Sequence, residues 1–163
     1  MDSKKLTKLA LLAGVALIIF VVELQIPSPI PIPGVKLGLS NIITLVTLCL
    51  FGWKEALAVL LVRVVLGAII TGQVGALPYA LSGGLLSFGA MLCLKRFVRP
   101  NQLWVLSAIG GLFHNLGQLG AAILITRTPG LIVYLPVLLL SGMLAGLFTG
   151  LCAQFLLHRL QQK

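Results

Sequence analysis

Apolar residues fill this chain in six long runs, and the interruptions between them are short and rich in Pro, Gly, Lys and Arg. The runs occupy residues 6–24, 37–51, 55–71, 77–94, 103–125 and 131–158. A membrane-crossing helix needs about 20 mostly apolar residues. Five runs approach that length, and the second is short. The pattern predicts an all-α fold: a six-transmembrane-helix bundle forming a single domain over residues 1–163. The interruptions read as connectors. QIPSPIPIPG (25–34) cannot be helical, because alternating prolines impose extended or polyproline geometry. It is either a plain connector or a lid over the mouth of the bundle. GQVGAL (72–77) and TRTPG (126–130) read as turns, and KRFVRPNQ (95–102) as a basic loop. The first run follows Lys4, Lys5 and Lys8, as a signal peptide would, but it continues into Glu23-Leu24-Gln25-Ile26-Pro27 without a small-x-small cleavage site. It is expected to be a retained helix.

Composition sharpens the class. Of the 163 residues, 59% are hydrophobic and 9% charged, against about 25% charged in soluble domains. The mean hydropathy is +1.12. A water-soluble domain of this size could not hide so much apolar surface. The net charge of +9 does not indicate nucleic acid, since the basic residues are dispersed and no aromatic platform accompanies them. Six spans place Lys4, Lys5, Lys8, Lys54, Lys95, Arg96, Arg99, Arg159 and Lys163 on one side, Lys36 and Arg127 on the other, and Arg63 within a span. Nine against two is a positive-inside signal. The expected location is the bacterial cytoplasmic (inner) membrane, with both termini cytoplasmic and the Pro-rich and TRTPG connections outside.

The scarcity of acidic residues excludes several chemistries. Only Asp2, Glu23 and Glu55 are present. Prenyl diphosphate synthesis needs clustered aspartates to hold Mg²⁺, and ATP use needs a phosphate-binding loop. Neither motif occurs, and no nucleophile–base–orienter set is visible. Cys49, Cys93 and Cys152 show no metal-ligand spacing. The chain is expected to be noncatalytic, without metal or cofactor. No second half repeats the first, as an inverted-repeat carrier would require.

The polar residues inside the runs carry the functional reading. Arg63, near the middle of the third run, costs about 2.5–3.5 kcal/mol even on a lenient insertion scale. It either pairs with Glu23 or helix carbonyls, balances an anionic ligand, or snorkels to an interface. In GGLFHNLGQLGAAI (110–123), His114 and Gln118 share a helical face at i, i+4 with Asn115 beside them. They either tie helices together or ring a polar substrate group. Asn41 and Ser82 fall at comparable depth, between the middle and the outer surface. The six residues Asn41, Arg63, Ser82, His114, Asn115 and Gln118 are the candidate ligand-binding set, in one pocket opening outward. Small-xxx-small pairs occur at Ala10 and Gly14 and along Gly142, Gly146 and Gly150. Such stripes pack helices internally or dock a partner.

PGVKLGLSNIITL (33–45), LVRVVLG (61–67), LSGGLLS (81–87) and HNLGQ (114–118), in this order and spacing, resemble the Gx transporter family. Its members are often labelled heptaprenyl diphosphate synthase component I. That family is similar to the substrate-binding S components of energy-coupling-factor transporters. The resemblance covers nearly the whole chain. It implies an uptake component that binds a small molecule from outside, of anionic, vitamin, isoprenoid or quinone-related character. It also implies a transmembrane coupling protein and cytoplasmic ATPases as partners. The 25–34 loop would be the lid, and the first helix would carry the docking surface, with Ala10-xxx-Gly14 standing where S components favour AxxxA. The alternative is a noncatalytic membrane subunit of a heptaprenyl or polyprenyl diphosphate synthase.

Overall fold

The computed structural model describes residues 3–25 and 38–161. Lys36, Lys163 and nearly all of the Pro-rich segment expected to form a lid lie outside the described residues. Six α-helices are present: α1 (Ser3–Gln25), α2 (Asn41–Leu50), α3 (Trp53–Ile70), α4 (Leu77–Leu94), α5 (Leu103–Thr126) and α6 (Leu135–Gln161). Short 3₁₀ turns at Val74–Ala76, Lys95–Phe97, Pro100–Gln102 and Pro129–Tyr134 join the later ones. No strand occurs among the described residues.

By length and composition, α1, α5 and the segments containing α4 and α6 are apolar enough to cross a membrane, which makes this a membrane protein. The 18 residues of α3 reach about 27 Å but include Lys54, Glu55 and Arg63. The expected second span is corrected in extent: α2 has ten residues, about 15 Å of helix, or half the hydrocarbon thickness. It compensates by burial. Six consecutive residues, Ile43 to Leu48, are buried, so α2 is surrounded on all sides rather than facing lipid. It packs against α1, α3 and α6.

Polar contacts set the helix ends at one side. Lys5 pairs with Glu55, joining the start of α1 to the start of α3. Lys95 Nζ donates to Leu48 O at 2.7 Å, capping the last turn of α2. Gln154 Oε1, near the end of α6, accepts from Leu103 N at 3.2 Å, satisfying an orphan donor at the start of α5. Between these ties lies an apolar core that includes Leu48, Ala56, Leu60, Leu103, Leu106 and Leu157. The end of the bundle nearest the termini is therefore packed with hydrocarbon. The turn from α2 to α3 passes through Gly52 at φ 106°, a conformation open to glycine and costly for other residues.

The closest helix packing runs through α5, which lies against α4 on one side and α6 on the other. Glycine makes both approaches possible. A Cβ added at Gly146 would lie 2.8 Å from Ala108 Cα, and one at Gly150 would lie 2.6 Å from Trp104 Cα. A Cβ on Gly117 would come 2.7 Å from Ser82 O. Small residues replace the missing hydrophobic drive in lipid by letting backbones touch. The Gly142–Gly146–Gly150 stripe is thus internal packing. Ala10 is exposed on α1, and a Cβ at Gly14 would meet nothing within 4 Å.

Candidate functional site

Because α2 starts late, its amino end sits inside the bundle instead of at the surface. Gly38 turns the chain there at φ 67°, and its N–H donates to Glu23 Oε1 from the last turns of α1. Asn41 N donates back to Gly38 O at 2.9 Å. From α3, Arg63 reaches the same turn: Nη1 donates to Ser40 Oγ, and Nη2 donates to Asn41 Oδ1 at 3.0 Å. Ser40 is fully buried and Arg63 only 5% exposed. An unpaired guanidinium would be prohibitive in hydrocarbon. Here two neutral side chains share it, and the buried carboxylate of Glu23 lies in the same cavity.

That cavity encloses about 1050 Å³, counting its open mouth. Gln73 and Ala76, from the connection between α3 and α4, line it at the end opposite the termini. Glu23, Asn41, Arg63, His114 and Gln118 line it too, as do Ser87 and Ser107, which lie further along α4 and α5 toward the end that carries the termini, and Thr149 of α6. Ser107 and Thr149 share a hydrogen bond of 3.0 Å between α5 and α6. Polar side chains occur at every level, interleaved with Phe20, Val64, Ala80, Met91 and the seam glycines. Gly83 keeps α4 close at this depth, since a Cβ there would lie 2.7 Å from both His114 O and Gln118 Cγ.

Five of the six candidate residues, Asn41, Arg63, His114, Asn115 and Gln118, meet around this cavity. Ser82 stands apart from the lining. Its single O–H is shared between Tyr79 O at 3.1 Å and Gly117 O at 2.9 Å, the second of which ties α4 to α5. Asn115 does two things at once: it lines the cavity, and its Nδ2 donates to Leu138 O at 2.6 Å, tying α5 to α6. Arg63 lies in the same cavity as Glu23 without an ion-pair contact between them. Sequence reading passed over Gln73, Ser87, Ser107 and Thr149. The signal was a small or polar residue in or beside an apolar helix, and many such positions point elsewhere. Among the described residues, no group of three His, Cys, Asp or Glu could hold a metal ion.

The geometry separates the roles of the two amides. Among the described residues Gln118 has no hydrogen-bonded partner, whereas Asn115 holds a carbonyl of α6. Gln118→Leu should leave the melting temperature within about a degree of wild type and weaken ligand binding by about 5- to 150-fold, the equivalent of one unmet polar group at about 1–3 kcal/mol. Asn115→Leu should lower the melting temperature as well. Binding and melting measured on the same preparations check both, and matching losses in the two variants would contradict the division.

A family model described as heptaprenyl diphosphate synthase component I matches residues 12–156. No curated protein and no solved structure matches the chain.

Proposed function

We propose that this chain, which belongs to the heptaprenyl diphosphate synthase component I family, is the substrate-binding component of a small-molecule uptake system, resembling the S components of energy-coupling-factor transporters. The observation that carries this reading is a cavity with a series of buried polar side chains on its wall, inside an otherwise apolar bundle. Burying Arg63, Glu23 and a series of amides and hydroxyls in a membrane protein is costly, and a bundle needing only to hold together would fill that space with hydrocarbon. A polyprenyl chain would want a continuous apolar tunnel. Polar side chains recur along this cavity from Gln73 to Thr149, breaking up a wall that is otherwise apolar, which suits a compact solute bearing polar groups.

In this reading the chain lies in the bacterial cytoplasmic membrane with both termini inside, so that the cavity opens outward. Energy comes from a coupling protein and cytoplasmic ATPases, and Ala10 and Gly14 on the exposed side of α1 form the docking surface. The family description favours a second reading, a noncatalytic membrane subunit working beside a soluble prenyl diphosphate synthase. Affinity purification from native membranes separates the two. Recovery of a transmembrane coupling protein with ATPases supports uptake, and recovery of a soluble prenyltransferase overturns it. Mass spectrometry of small molecules released from the purified chain should identify a polar solute.

Orientation is tested independently. With Cys49, Cys93 and Cys152 replaced by alanine, Thr128→Cys should react with a membrane-impermeant maleimide in whole cells. Val98→Cys, among the basic residues, should react only after permeabilisation. The opposite pattern would invert the bundle and point the cavity at the cytoplasm.

A further inference from the structure

Glu23 from α1 and Arg63 from α3 line the same cavity, and each is more than nine-tenths buried. Opposite charges in a low-dielectric interior gain most by meeting, yet no ion pair joins these two among the described residues. Each is held instead by the turn that opens α2: Glu23 by the Gly38 N–H, and Arg63 by Ser40 and Asn41. A fixed negative group and a fixed positive group therefore flank residues 38–41, both on the wall of one cavity.

Each side has the chemistry of a specific recognition site. A guanidinium carries five N–H donors. Two of them are engaged with Ser40 and Asn41, and Nε is buried without a hydrogen-bond partner among the described residues. The amino end of the ten-residue α2 adds its partial positive charge beside the guanidinium. A carboxylate matches that fork. On the other side, α1 presents Phe20 and Glu23 one turn apart, both lining the cavity. An aromatic face next to a carboxylate recognises an ammonium group. Charge balance decides what joins them. Among the described residues of the lining, the Glu23 carboxylate and the Arg63 guanidinium are fixed charges of opposite sign, and they cancel. A net anion or cation would leave an uncompensated charge inside the membrane, whereas a ligand bearing both signs would not.

We infer that the cavity takes a small zwitterion, with its carboxylate against Arg63 and the start of α2 and its ammonium toward Phe20 and Glu23. This rests on the reading of the cavity as a ligand site. The test uses the purified full chain in lipid nanodiscs. Thermal stability is measured with the proteinogenic amino acids as probes, each beside its deaminated carboxylate and its decarboxylated amine. The small molecule that copurifies is identified by mass spectrometry. At least one amino acid, or a copurifying zwitterion, should stabilise the chain while its matched carboxylate and amine do not. Glu23→Gln should shrink the preference for zwitterion over carboxylate by about tenfold or more. Arg63→Lys, which keeps the charge where Arg63→Gln fails to fold, should weaken the carboxylate side alone. A net anion or cation that binds as tightly as any zwitterion, or an unchanged preference in Glu23→Gln, would overturn the inference and leave the ligand-site reading standing. A chain that neither retains nor responds to any polar solute would overturn both.

Discussion

Arg63→Met should destabilise the purified chain by on the order of 3 kcal/mol. The substitution removes a side chain of similar length without creating a large void, so packing accounts for little of the loss. What it removes is the donor pair that satisfies Ser40 Oγ and Asn41 Oδ1 and the positive charge opposite buried Glu23. Unmet buried acceptors cost about 1–3 kcal/mol, and a buried charge deprived of its counter-charge costs about 3–5 kcal/mol. Thiol-reactive dye fluorescence at half-buried Cys49 and Cys152 would follow the melt. The double variant Arg63→Met, Glu23→Gln should recover part of the loss, because the orphaned carboxylate is gone. That non-additivity is the diagnostic result. A single variant that melts like wild type would mean that the guanidinium is not what holds the start of α2.

Gly142→Ala and Gly146→Val should separate α5 from α6 and lose the cavity along with stability. A single added methyl at Gly142 would stand 2.5 Å from Gly111 O and 2.7 Å from Asn115 Nδ2. The first of these is backbone, which yields only if the helices move apart. Overpacking of this kind costs about 1–3 kcal/mol for each site, and the larger valine costs more. Gly111, Gly142 and Gly146 also line the cavity, so ligand binding should fall in step with melting temperature. Gly14→Ala and Gly89→Ala are the controls, since a Cβ at either position meets nothing within 4 Å. They should be neutral or gain up to about 1 kcal/mol from helix propensity. Equal losses at all four positions would show that the seam is not special. Gly14→Ala, which completes an AxxxA pair with Ala10, should keep any copurifying partner, and its loss would count against the docking role proposed for α1.

Position along each helix was legible from the chain alone, and rotation about each helix axis was not. The run at 77–94 coincides with α4, and the run at 103–125 falls one residue short of α5, because an unbroken apolar stretch ending in Gly, Pro or basic residues has few alternatives to a helix. Arg63 was conspicuous for the same local reason: a charge in such a stretch is expensive wherever it points. Ser82 and Ser87 lie five residues apart on one helix, yet only Ser87 reaches the cavity. Lipid and protein interior are equally apolar, so a membrane helix shows little contrast between its faces, and nothing in the local sequence distinguishes the two serines. Nor could an apolar run reveal that α2 stops halfway. Its outer residues Gly38 and Ser40 leave the helix to meet Glu23 and Arg63, side chains 15 and 23 residues away along the chain. Sequence by itself determined the helices, the place of the polar residues along them and the anomalous arginine, all set by the cost of placing each residue in hydrocarbon. The tertiary structure alone decided which polar groups face one another, because that follows from where the glycine seams let the backbones touch.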